Sequence, residues 1–139
     1  MKTDGSSNWT AFSQFGDEFL LSTPVLDING VNIINTATTQ TLASVPTGVK
    51  VIALLGITIN NSIGGNVSYL LSSLDTADVA TSPTGIANGG NGNNGFNGNQ
   101  HIIRTNTSAQ IRMRASTGST ALSLNGTTQG WIDRRGRDN

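Results

Sequence analysis

The sequence predicts an all-β fold: a single-domain β-sandwich of about eight strands, with a jelly roll as its topology. Composition is the first reason. Solvent-exposed helices draw on Glu, Lys, Gln and Arg for propensity and i,i+4 pairing, yet only 12% of the residues are charged and Glu18 is the one glutamate. Asn, Ser and Thr instead make up 48 of the 139 residues, which is the chemistry of turns and strand surfaces. The second reason is period-two alternation, and the third is Gly, Pro and Asn punctuation every eight to twelve residues or so. A chain of 139 residues with 35% hydrophobic residues has room and material for one core.

Residues 1–19 show no sustained period but hold Trp9, Phe12, Phe15 and Phe19. They read as an N-terminal arm, anchored either on a neighbouring subunit or over the chain's own core. Residues 20–133 read as the sandwich. Leu20 to Ile28 is a strand that Pro24 confines to an edge or a bulge. It ends at Asn29-Gly30, a tight-turn dipeptide, and Val31 to Ala37 follows as its hairpin partner. Thr38 to Val45 is a Thr-rich strand closed by Pro46-Thr47-Gly48. Val49 to Ile59 is apolar on both faces in its middle, so it reads as a central strand bent at Gly56. Val67 to Ser73 puts Val67, Tyr69 and Leu71 on one face, and residues 74–83 form a connection with a short helical turn at Asp75 to Val79.

Residues 84–100 contain six Gly and six Asn in seventeen positions and read as a mobile loop, functional or disordered, with Phe96 as a candidate contact. Strands then follow at His101 to Thr105 and at Gln110 to Ala115, the latter with Ile111, Met113 and Ala115 inward. Thr120 to Asn125 carries Leu122 and Leu124 inward, and Asn125-Gly126 turns the chain into Thr127 to Asp133, which holds Trp131. Residues 134–139 form a basic tail.

The net charge of zero hides an asymmetry. Residues 1–100 carry two lysines against six acids, a net of −4, whereas residues 101–139 carry six arginines against two aspartates, a net of +4. Arg104, Arg112 and Arg114 therefore read as one basic face and Arg134, Arg135 and Arg137 as another, suited to planar contacts with a partner's carboxylates or amides. The competing reading pairs them with the chain's own acidic first part.

Catalytic chemistry is thinly supplied. There is no cysteine, hence no thiolate nucleophile and no Cys-based zinc site. His101 is the sole histidine and reads as structural. Asp17-Glu18 and Asp75 with Asp78 are acidic pairs, but nothing singles out either as a hydrolase dyad. The Gly-rich segment lacks the lysine and following helix of a phosphate loop. No catalytic residue, metal or cofactor is expected. Only Trp131 accompanies the arginines, so nucleic acid is not an expected partner. No run approaches the roughly eighteen apolar residues of a membrane span, and the N-terminus lacks a signal-peptide pattern, so the chain is expected to be soluble and unexported.

Three segments resemble a β-domain of tailed-bacteriophage structural proteins: Pro46 to Ala53, Ile103 to Ala115, and Gly130-Trp131-Ile132-Asp133-Arg134-Arg135-Gly136. That domain occurs at the ends of tail proteins and, alone, is similar to small jelly-roll capsid cement, or decoration, proteins. The resemblance covers about residues 40–137 and implies a non-enzymatic virion protein. Such a protein would be made in the host cytoplasm and bound to the outer capsid surface across junctions of the major capsid protein, as a dimeric or trimeric homo-oligomer. Starting at Met1 and stopping after 139 residues suits a cement subunit better than the end of a long fibre. The implied contact residues are Trp9, Phe12 and Phe15 in the arm, Phe96, Trp131 and the six arginines. The alternative is a receptor- or glycan-binding module of a tail fibre or tail protein, with residues 84–100 as its contact surface.

Overall fold

Residues that alternate in burial along an extended chain must pair edge to edge, and here they pair almost throughout. The computed structural model describes residues 11–62, 65–91, 95–120 and 122–135, with backbone alone at 91, 95 and 96. Among them are nine strands: β1 Phe12–Phe15, β2 Glu18–Asn32, β3 Thr38–Thr41, β4 Ile52–Asn61, β5 Val67–Ser72, β6 Gly89–Asn91, β7 Gly95–Arg104, β8 Gln110–Ala115 and β9 Leu122–Ile132. One sheet runs β1-β2-β9-β4-β7 and the other β3-β8-β5-β6, with all neighbours antiparallel. Setting β1 aside, the orders 2-9-4-7 and 3-8-5-6 are the two facing four-stranded sheets of a jelly roll.

The core lies between the sheets. Ala53, Leu55, Ile57 and Ile59 of β4 and Leu122, Leu124 and Trp131 of β9 face Val67, Tyr69 and Leu71 of β5 and Ile111, Met113 and Ala115 of β8. The strict alternation of β8 is thus the alternation of an inner and an outer face.

Several segments depart from the sequence expectation, each for a steric or hydrogen-bonding reason. Neither Asn-Gly dipeptide turns the chain. β2 runs through Asn29-Gly30 and β9 runs through Asn125-Gly126, and the two meet in one strand pair, with Ile28 opposite Gly126 and Val31 opposite Leu124. The extra β2 residues form a bulge in which Gly30 takes φ 59° and its N–H donates to Asn125 Oδ1 at 2.7 Å. Gly126 is small because it is buried: a Cβ there would lie 2.6 Å from Ile28 Cδ1. The Pro24 expectation fits the fold, since the β2–β9 register slips between Leu20 and Val25. β4 pairs with β7 without a break through Gly56, and its one register slip, against β9 between Leu54 and Leu55, comes from the extra residue Gln129 of β9. No helical turn forms at 75–79.

Residues 84–100 are not a loop throughout. β7 pairs with β4 along ten residues, from Asn61 opposite Gly95 to Ile52 opposite Arg104. The glycines of β6 are required by close approach, because a Cβ on Gly90 would stand 2.6 Å from the Val67 carbonyl oxygen and one on Gly89 2.9 Å from Tyr69. Residues 12–19 are likewise no arm: they form a β1–β2 hairpin turning at Gly16, φ 63°, that extends the larger sheet. Residues 1–10 and 136–139 lie outside the described residues.

Gly130 carries the tightest approach. A Cβ there would sit 2.1 Å from the Phe19 carbonyl oxygen and 3.0 Å from Leu20 Cα, both backbone atoms of β2. Replacing Gly130 by Ala must push β2 away from β9. We expect it to lower stability by about 1–3 kcal/mol, read as an earlier urea midpoint at unchanged m-value.

Candidate interaction surfaces

The aromatic residues assigned to partner contacts divide sharply. Phe19 lies opposite Trp131 across β2 and β9, and their rings stack at 5.5 Å and 8°. Phe12, opposite Leu21, adds an edge contact with Phe19 at 5.4 Å and a tilted one with Trp131 at 6.2 Å. Trp131 is only 6% exposed. Trp131 is therefore part of an internal aromatic seam and not a free anchor, whereas Phe12 packs on the seam's edge and stays 37% exposed. Phe15 points to the opposite face of the sheet and is 65% exposed. Trp9 and the Phe96 side chain lie outside the described residues.

Arg112 and Arg114 do not make an exposed basic face either. They are outward residues of β8, but residues 73–78 fold across them, leaving the side chains 13% and 21% exposed. Arg114 Nη1 reaches Asp78 Oδ2 at 2.6 Å, and Arg112 donates to the Thr76 carbonyl at 3.0 Å and stands 4.0 Å from Asp78. For this pair the intramolecular reading holds: basic residues of the last third tether an acidic connection from the first part. A half-exposed ion pair of this kind contributes less than about 1 kcal/mol. Its consequence is mainly positional, since it fixes the path of the connection after β5.

The remaining cations converge. Lys50 precedes β4, Arg104 ends β7, and Arg134 and Arg135 follow β9, three strands that are neighbours in one sheet. Together with Val51, Ile52 and Ile132 they line a shallow cleft of about 210 Å³ at one end of the sandwich. Their acidic partners are at the rim: Asp75 lies 2.7 Å from Lys50 and 4.0 Å from Arg104, and Asp17 lies 4.0 Å from Arg134. Arg135 pairs with Asp133 at 2.5 Å, and that hydrogen bond holds the Asp133 carboxyl below its ordinary range while raising Arg135. The lining carries four cations and no acid, while the three paired aspartates and Glu18, opposite Ile132, stand around it, and the pairs at 4.0 Å leave guanidinium donors to spare. Arg137 lies outside the described residues. Sequence reasoning missed Lys50, which is remote from the arginines along the chain and meets them only through strand pairing.

Two buried polar nodes complete the chemistry. Asp27 of β2 accepts hydrogen bonds from Ser44 N at 3.1 Å, from the Ser44 hydroxyl and from Thr128 Oγ1 at 2.5 Å. It joins β2, β9 and the segment after β3. The second node links the sheets: Tyr69 Oη lies 2.7 Å from His101 Nε2 and accepts from Asn99 Nδ2 at 3.2 Å. With Asn99 donating, the one hydroxyl proton of Tyr69 points to Nε2, so His101 is held as the neutral acceptor. Burial lowers the His101 pKa from its ordinary value and raises that of Tyr69, the latter opposed by the Asn99 hydrogen bond. His101 is thus tied into the hydrogen bonding between the two sheets. Among the described residues no group of three or more His, Cys, Asp or Glu gathers as a metal site, and no helix is long and apolar enough to cross a membrane.

Comparison with protein-family models gives no match, and comparison with curated proteins gives none either.

The Tyr69–His101 node sets a pH dependence. The folded chain keeps His101 neutral to a lower pH than the unfolded chain does, so the unfolded state binds the proton first as pH falls. Stability should decline as pH drops below about 6.5 and level off once the folded histidine is also protonated. His101→Gln should flatten that slope, because it removes the group whose burial sets it, whereas Tyr69→Phe should keep the slope and cost about 1–3 kcal/mol by leaving His101 and Asn99 without the hydroxyl. Urea titrations of the three proteins across pH 5 to 8 check this; a slope that survives His101→Gln would remove His101 as the source.

Proposed function

We propose that this chain is a non-enzymatic structural subunit of a tailed-bacteriophage virion, a cement protein that binds the outer shell across junctions of the major capsid protein and works as a homo-oligomer. The observation that carries the reading is the make-up of the basic cleft. Its lining comes from all three segments that resemble the phage β-domain: Lys50, Val51 and Ile52 from the first, Arg104 from the second, and Ile132, Arg134 and Arg135 from the third. Residues far apart in sequence, in segments resembling one family, form a single surface with an apolar floor and cationic walls.

Such a surface suits an acidic patch on a repeating protein lattice. Each contact is salt-sensitive and individually weak. Several contacts per oligomer raise the effective affinity by orders of magnitude without any deep pocket. A jelly roll is a scaffold for this work because its strands hold the contact residues rigidly, although the fold by itself assigns no function.

The receptor- or glycan-binding alternative draws on an open hollow of about 470 Å³ lined in part by Asn66, Ser68, Thr84 and Asn88, which offers amides and hydroxyls. Among the described residues no exposed tryptophan makes a sugar platform there, since Trp131 is buried in the stack with Phe19.

The cement reading is tested with Arg134→Glu and Arg135→Glu together. Both side chains are exposed, so the fold should persist. Occupancy on particles lacking the subunit, measured by co-sedimentation, should fall at least tenfold, and the wild-type occupancy should weaken as salt rises. Undiminished, salt-insensitive occupancy would reject the cleft as the shell contact. Arg112→Glu should instead show its main effect on stability, because that side chain is committed to the connection at 73–78.

A further inference from the structure

The outer face of the larger sheet breaks a rule at one end. The solvent side of an antiparallel sheet is ordinarily polar, and over most of this face it is, with Thr58, Gly98, Gln100, Thr127 and Gln129 outward. Toward the β1–β2 hairpin the same face turns apolar. In one cross-strand row Leu20, Gly130, Leu54 and Ile102 stand side by side, and in the next Glu18, Ile132, Ile52 and Arg104 do. Ile102 is 70% exposed, Leu20, Leu54, Ile52 and Ile132 are half-buried, and Phe15 stands exposed on β1 beyond Glu18. A contiguous outward apolar patch on a sheet marks an interaction surface.

The charges say which partner. The second row has an acid at one end, Glu18 on β2, and a base at the other, Arg104 on β7, with only isoleucines between. Glu18 has no ion pair among the described residues, and Arg104 has only the 4.0 Å approach to Asp75. A uniformly acidic or basic partner would meet one of the two with like charge. A second copy turned about a two-fold axis lying along the strands, between β9 and β4, meets both with opposite charge. Three strand spacings, roughly 14 Å, separate the ends of the row, and sheets stacked about 10 Å apart bring Glu18 of each copy within side-chain reach of Arg104 of the other.

We propose that this chain forms a two-fold symmetric dimer through the outer face of the β2-β9-β4-β7 sheet, with the isoleucine and leucine patch at its centre and two Glu18–Arg104 pairs at its margins. The proposal names the interface of the homo-oligomer in the reading above: the dimer covers Ile52, Ile132 and Arg104 of the cleft and leaves Lys50, Arg134 and Arg135 at its edge as the part open to the shell. Loss of particle binding in the Arg134 and Arg135 variant would therefore leave it intact, and that variant should remain a dimer.

The test is the solution mass of the full chain by sedimentation equilibrium at micromolar concentration. The wild type should have twice the 14.4 kDa monomer mass. Glu18→Arg alone and Arg104→Glu alone each place like charges together and should weaken the dimer at least tenfold, whereas the two combined restore the pairs in reverse and should restore the dimer. Ile102→Asp should give a monomer with unchanged circular dichroism. A wild-type monomer, a trimer, or a charge swap that fails to restore association would overturn the proposal. So would a monomeric wild type that Ile102→Asp destabilises, since the face would then be covered by the same chain.

Discussion

Everything in this fold waits on β9. The last strand runs between β2 and β4 and bonds to both, so the first long strand and the most apolar one are joined only through the chain's final segment. This insertion requires that β9 be narrow where its neighbours press on it, and the glycines at 126 and 130 are placed where a methyl group would strike Ile28 or the β2 backbone. It also brings Trp131 under Phe19 and delivers Arg134 and Arg135 to Lys50 and Arg104. The aromatic seam and the basic cleft are therefore products of one pairing.

The charge asymmetry of the sequence has two uses in space. Part of it is internal: Arg112 and Arg114 hold a connection that has little apolar content of its own to pin it down, because Leu74 is the only large aliphatic residue between Ser73 and Asp78. The rest is gathered at one end of the sandwich, where cations line the cleft and acids stand around it. Partitioning of this sort cannot be inferred from net charge, which is zero in either arrangement.

What was legible in the sequence was whatever depends on side-chain alternation. The inward set of Ile111, Met113 and Ala115, the inward Leu122 and Leu124, the two-layer all-β class and the irregularity around Pro24 follow from period and from proline's missing donor. Turn chemistry misled because a dipeptide signals what a backbone tolerates, not what long-range pairing selects: two Asn-Gly pairs facing each other across β2 and β9 became a bulge and a close-packed site. The Gly/Asn-rich segment read as mobile for the same reason, while its residues 95–100 were to be paired along β4 and its residues 89–91 along β5. The doubly apolar character of Val49 to Ile59 was visible and correctly placed β4 in the sheet interior. That same pattern also described a strand with one face in the core and the other in an outward patch, and only the coordinates of Ile102 and Ile132 separate the two. Of the site, the arginines were legible as residue types, whereas their division into tethers and cleft walls depended on where residues 73–78 cross the second sheet.

The composition of β7 has one more consequence. Among the described residues it is the outermost strand of the larger sheet, ten residues long, and one whole side of its backbone meets no neighbouring strand of that sheet. A border of that length made of valine and isoleucine would recruit foreign strands and seed insoluble aggregates. Built over Gly95 to Gln100 from glycine, asparagine, a single phenylalanine and glutamine, it offers an approaching strand almost nothing to grip. What the letters suggest is slackness; what the position gives is a safeguard against edge-to-edge polymerisation.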